Sequence, residues 1–268
     1  MLNIRYKWGT SWRPWKILSD RNYADSILQS AKDYADSKSI DFSSVDFGFI
    51  ERFAVVGDSY ASGEIYISDG GSGYIQHDYY NLSWGQIMAR KYGNICLNLS
   101  SGGLSTRTWL TSKKGLALLN SSEPQQLYMC MLGANDIDIG ADYIGSIDDI
   151  RDDSSQNADS FYGNYGKIIS AIKTKAPNAK IVLMTVAYEW GTLEDNFNNA
   201  IKTIANHFSI PCIDVKTDVF YSRTGLYQTG KRWNHPTAPL YAGMASANVR
   251  LFNKCVEDNY SYFRDYVG

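Results

Sequence analysis

The chain has 268 residues, 44% hydrophobic and 20% charged, near globular averages, which excludes a disordered chain or a collagen-like or coiled-coil rod for its bulk. At roughly 100–200 residues per domain it holds one large domain, or one domain with an appendage. With 26 basic against 28 acidic residues its net charge is -2, so nothing in the global charge favours nucleic acid or an anionic membrane as a partner.

The chain divides by composition into residues 1–48 and 49–268. Residues 1–22 are basic and aromatic, with three Trp and five Lys/Arg and no apolar signal core, and no run in the chain approaches the roughly 20 apolar residues that span a bilayer. The expectation is a protein made in the cytoplasm, neither membrane-spanning nor exported by a signal of its own. Residues 23–35 place Ala24, Ile27, Ala31 and Tyr34 on a heptad-like seam, which predicts either an amphipathic helix packed on the main domain or a short oligomerising stalk. The run Ala-Lys-Asp-Tyr-Ala-Asp-Ser-Lys at 31–38 resembles helical connectors of phage tail-fibre proteins. That resemblance implies a homotrimer carried on a virion tail.

From residue 50 onward, apolar strand-like runs at 53–57, 95–99, 127–132, 180–186 and 211–215 alternate with helix-period segments near 83–92, 105–120, 160–176, 194–208 and 238–256. This pattern predicts an α/β fold, a doubly wound, mostly parallel five-stranded sheet flanked by helices. Asp159 or Ser160 can cap the helix before Phe161, and Pro177 ends it. Two insertions, at 60–81 and 137–158, are long enough to shape an active-site rim. The first holds Asp-Gly-Gly-Ser-Gly, which is no phosphate-binding fingerprint, and the second is a solvated acidic loop without EF-hand spacing. Three widely spaced His offer no zinc spacing, so neither a metal nor a nucleotide cofactor is expected. Four Cys without a CxxC pair read as reduced and structural.

In an open parallel sheet, ligands bind beyond the carboxyl ends of the strands. There the sequence offers Gly57-Asp58-Ser59, then Asn98 through Gly103, then Gly133-Ala134-Asn135-Asp136, and after the fifth strand Asn234-His235-Pro236. A hydroxyl, a glycine turn, an amide and an imidazole on one rim are the components of acyl transfer: nucleophile, oxyanion donors and base. A nucleophile elbow G-x-S-x-G is absent, since Ala61 holds its last position.

In order and spacing these clusters resemble the four sequence blocks of the SGNH (GDSL-type) hydrolases, over residues 50–256. The resemblance implies a flavodoxin-like three-layer sandwich with Ser59 as nucleophile and His235 as general base. It also implies an oxyanion hole of the Ser59 and Gly103 N–H groups and the Asn135 amide. Gly103, rather than Gly102, matches the family glycine five residues after Asn98. Two departures stand out. Tyr60 replaces the aliphatic residue of the GDSL signature, and Arg232 stands where the family's DxxH block has its acid. The guanidinium of Arg232 can only donate, so the acceptor for His235 is either a main-chain oxygen, with Arg232's carbonyl the candidate, or a displaced acid, Asp214 or Asp218. The expected activity is hydrolysis of small acyl esters, O-acetyl groups on carbohydrate, favoured by Tyr66, Tyr74, Tyr79, Tyr80 and Trp84 in and beside the first insertion. A lipid esterase or thioesterase, and a non-catalytic carbohydrate-binding or tail module, are the alternatives.

Overall fold

The structure, a computed structural model, describes residues 47–188 and 191–267, together with four two-residue strands near the start of the chain. Those strands form two antiparallel pairs, Asn3–Ile4 with Lys16–Ile17 and Lys7–Trp8 with Ser11–Trp12. They belong to a compact unit spanning Met1–Ser44, and Val45–Gly268 forms a second unit. The helix expected at 23–35 lies outside the described residues.

The second unit is built on a five-stranded parallel sheet. Counting from Arg52, the strands are β1 (Arg52–Gly57), β2 (Glu64–Ser68), β3 (Tyr74–Asp78), β4 (Ile95–Ser100), β5 (Leu127–Met131), β6 (Lys180–Met184) and β7 (Cys212–Ile213). The sheet runs β7-β6-β5-β1-β4, while β2 and β3 pair outside it as an antiparallel hairpin. Taking only the sheet strands, this is the order 2-1-3-4-5, whose switch point lies between the first and third. The interior strand β1 is buried from Phe53 through Gly57, as a strand covered on both faces must be, and its near-continuous apolar run reflects that.

Helices cover the sheet where the 3.6-residue period predicted them. The helix α6 (Phe161–Lys175) is capped by Ser160, whose hydroxyl accepts from Gly163 N at 3.1 Å. The long α9 (Ala238–Asp258), with Pro239 in its first turn, packs on α2 (Trp84–Tyr92), and α10 (Tyr260–Val267) follows it. Phe47, Phe53, Phe252 and Phe263 are all fully buried around that seam, at about 1.5–3 kcal/mol of burial each. The single helix expected over 105–120 is two short ones, α3 (Thr106–Trp109) and α4 (Leu116–Ser121), because Ser105 and Gly115 each start a new helix. The insertion 60–81 is ordered rather than loose, forming the short helix α1 (Ser59–Ser62) and the β2–β3 hairpin. Trp84, read from the sequence as a candidate sugar-facing aromatic, is fully buried in the core.

Candidate active site

Ser59 stands at the first position of α1, directly beyond β1, with Asp58 as the helix cap accepting from Tyr60 N at 3.0 Å. The N–H at such a position has no acceptor within its own helix. Its side chain meets His235 from 176 residues away, with Oγ 3.0 Å from Nε2.

The local chain aims His235. Arg232 and His235 pair backbone to backbone, N to O at 2.9 and 3.0 Å, around Trp233 and Asn234, which have φ of 46° and 66°. Two central residues with positive φ make a type I′ turn, an uncommon conformation for a residue as bulky as Trp. The consequence is that Trp233's own carbonyl faces the ring, 3.3 Å from Nδ1. A carbonyl only accepts, so Nδ1 carries the hydrogen and Nε2 offers its lone pair to Ser59. The orienting oxygen thus belongs to Trp233, whereas the Arg232 carbonyl is occupied by His235 N.

Neither displaced acid reaches the ring. Asp214 is held by Lys202 Nζ at 2.5 Å and Thr185 Oγ1 at 3.1 Å, and Asp218 by both Nε and Nη2 of Arg250, at 3.0 and 2.9 Å. Burial lowers the pKa of His235, and Lys231 lowers it further against the Trp233 carbonyl, so the ring rests neutral.

Two other strand ends complete the rim. Gly103 has φ +74°, a left-handed conformation that favours glycine, and open space where a Cβ would stand. The amide of Gly102 is taken by the Asp78 carboxylate at 3.2 Å, which leaves Gly103 as the candidate donor of that turn. Asn135 opens beyond β5, and one hydrogen of its Nδ2 is fixed on Leu104 O at 3.0 Å while the second remains for a ligand. Asp136 beside it accepts from Thr106 N at 3.0 Å and Thr106 Oγ1 at 2.6 Å, tying the glycine loop to the Asn135 turn. Burial raises Asp136 to about 6 despite those donors, and raises Asp58 to about 7.

Several residues at the site escaped sequence reasoning. Asp78 takes hydrogen bonds from Ser62 Oγ, from Ser101 Oγ at 2.7 Å and from Gly102 N, clamping the glycine turn to the hairpin. Tyr241 from α9 sets its hydroxyl between Ser59 O at 3.0 Å and Glu64 O at 2.8 Å. Glu64, the first residue of β2, is buried with Oε1 3.3 Å from His235 Nε2, and a Cβ on Gly102 would stand 1.8 Å from its Oε2. All three depend on the pairing of the hairpin or on the packing of α9, for which no local sequence signal exists. Among the described residues no group of three or more His, Cys, Asp or Glu is placed to hold a metal ion.

A 2-1-3-4-5 sandwich with a serine–histidine pair beyond its strand ends defines a serine hydrolase of three-layer α/β architecture whose nucleophile follows the first strand of the sheet. The comparison with family models gives the particular group: residues 55–242 match the GDSL-like lipase/acylhydrolase family, to which the chain belongs, and it is a carboxylic ester hydrolase. No curated protein matches the sequence. Solved structures share its fold. A candidate GDSL-like lipase from Bacteroides uniformis superposes with a TM-score of 0.56 at 17% identity, over 75% of this chain and 94% of its own. A family two carbohydrate esterase from Clostridium thermocellum gives 0.52 at 14% identity, over 79% of this chain and 64% of its own.

Proposed function

We propose that the protein hydrolyses small acyl esters, O-acetyl groups above all, on carbohydrate, with Ser59 as nucleophile and His235 as base. His235 Nε2 takes the Ser59 proton as Oγ attacks the ester carbonyl. The oxyanion that forms lies among the Ser59 and Gly103 N–H groups and the free Nδ2 hydrogen of Asn135. On collapse, Nε2–H protonates the departing alkoxide and leaves an acyl-serine. A water that gives its proton to Nε2 then attacks the acyl carbon, and Ser59 recovers its proton as the acid departs.

The observation that favours a sugar is a run of aromatic rings leading outward from the base. Tyr66 lies 4.4 Å from the His235 ring, Tyr74 4.7 Å from Tyr66, and Trp233 5.3 Å from Tyr74, all as centroid distances. Tyr74 is 50% and Trp233 41% exposed. Flat apolar faces with polar edges suit the C–H faces and hydroxyls of a pyranose. A small acyl group is favoured because Tyr60 and Tyr66 both stack against His235 and crowd the space around it.

The test is acetate release from a panel of acetylated glycans beside hydrolysis of p-nitrophenyl acetate. Wild type should act on both, and Ser59→Ala and His235→Ala should each lose on the order of 10⁴- to 10⁶-fold in turnover. A Ser59→Ala variant that keeps more than about a tenth of the rate removes Ser59 as the nucleophile. No acetate release from any glycan of the panel, beside turnover of p-nitrophenyl acetate, removes the sugar specificity.

A further inference from the structure

Glu64 is a buried carboxyl in an unfavourable place. It sits beside a second acid, Asp78, and burial and that neighbour both raise its pKa, against a hydrogen bond from the Tyr66 hydroxyl. Burying a carboxylate is costly unless a cation compensates it. Among the described residues, its ion-pair partner is His235, at the nitrogen that also holds Ser59. That ring is neutral at rest, so the compensating cation exists only after Nε2 has taken the serine proton.

We propose that Glu64 is the positioning residue that stabilises the His235 imidazolium, in place of an acid at Nδ1. It rests on the reading of Ser59 and His235 given above, and acts on the opposite side of the ring from an ordinary triad acid. While Nε2 carries a lone pair, an ionised Oε1 at 3.3 Å faces it with like polarity and gains nothing. Once the proton moves from Ser59 Oγ to Nε2, the new N–H lies between the reacting oxygen and Oε1. A charge-assisted contact then appears that the ground state lacks, and only interactions stronger in the transition state accelerate the step. No proton passes to Glu64, and the one on Nε2 continues to the departing alkoxide. The Trp233 carbonyl fixes the tautomer but carries no charge, so the pair divides between two groups what a single aspartate does in a triad.

The groups that set the pH response all face this pair. Lys231 lies on the loop of His235, Tyr60 on α1, and Glu64 and Tyr66 on the hairpin. Behind Glu64 stand Asp78, Asp58 and the Tyr241 hydroxyl. Removing the negative charge leaves the effect of Lys231 on the ring without the counterweight of Glu64, so the imidazolium is disfavoured and the acid limb of kcat/KM moves to lower pH.

The experiment compares wild type, Glu64→Gln and Ser59→Ala on p-nitrophenyl acetate from pH 4 to 9. Glu64→Gln should lower kcat roughly 10- to 100-fold with KM within about threefold, and move the acid limb down in pH. Glu64→Gln with wild-type kcat and an unmoved acid limb overturns the proposal, as does a loss carried by KM alone. Should Glu64→Gln fail to fold, Glu64→Asp, which keeps the charge but draws it back by one methylene, should still lower kcat with KM little changed, and a wild-type kcat in it overturns the proposal. Activity persisting in Ser59→Ala would instead overturn the underlying assignment of the nucleophile.

Discussion

Tyr60 and His235 lie ring on ring, their planes 5° apart and centroids separated by 5.1 Å, and the Tyr60 hydroxyl donates to Asn234 O at 2.8 Å. The residue that departs from the GDSL signature therefore holds the turn that aims the base. Asn234 has positive φ, and the hydroxyl anchors this strained peptide to the helix that carries the nucleophile.

Tyr60→Phe keeps the stack and loses the anchor. One hydrogen bond contributes about 1 kcal/mol, so turnover should fall roughly fivefold with the melting temperature lowered by a few degrees. Tyr60→Leu loses the stack too and should fall further. Steady-state rates and thermal melts of both variants check this, and a wild-type Tyr60→Phe would show that the Arg232–His235 backbone pair holds the turn unaided.

Asp214→Asn and Asp218→Asn should each change turnover by less than about tenfold, since both carboxylates are bound to cations away from the ring. Losing an orienting carboxylate costs on the order of 10⁴-fold. Either variant as inactive as His235→Ala would contradict the geometry around Nδ1.

Asn135→Ala deletes one of three expected oxyanion donors and should reduce kcat roughly 10²- to 10³-fold with little change in KM. Its amide also holds Leu104 O, so Asn135→Asp, which has no N–H to offer, separates loss of the donor from loss of the side chain. An unchanged rate in both variants removes Asn135 from the site.

Asp58 predicts a pH dependence of stability. Its pKa is raised by burial to about 7 from 3.8, so the folded protein binds this proton more tightly than the unfolded chain. The stability this proton confers is fully present below about pH 4 and is lost as pH rises to about 7, at up to about 1.4 kcal/mol per pH unit. Asp58→Asn keeps an acceptor for Tyr60 N without the titration. Its melting temperature relative to wild type should be higher at pH 8 than at pH 5. A difference that is flat across that range would refute a raised pKa at Asp58.

Tyr74→Ala should raise KM for an acetylated glycan about tenfold and leave p-nitrophenyl acetate nearly unchanged, because Tyr74 stands in the aromatic run but does not touch the base. Equal effects on both substrates would detach the aromatic run from sugar binding.

The sheet was legible because its interior strands are apolar runs buried along nearly their whole length, and the runs ending at Gly57, Leu99 and Leu132 could be read without knowing their neighbours. Ser59, Gly103, Asn135 and His235 were legible for a related reason: each follows its strand by a few residues, so the fold delivers them to one edge. What the sequence could not contain is the set of contacts made across that edge. Whether Nδ1 met an aspartate, the Arg232 carbonyl or another oxygen depended on two positive φ angles at Trp233 and Asn234. Those residue types do not announce a type I′ turn as Asn-Gly would. Glu64 and Asp78 lay in an insertion that read only as a rim loop. The pairing of β2 with β3 turned it into a wall that places one carboxylate beside the base and the other beneath the glycine turn. Strand and helix periods are local properties of a chain, whereas the side on which a buried acid meets an imidazole is fixed only when segments distant in sequence pack together.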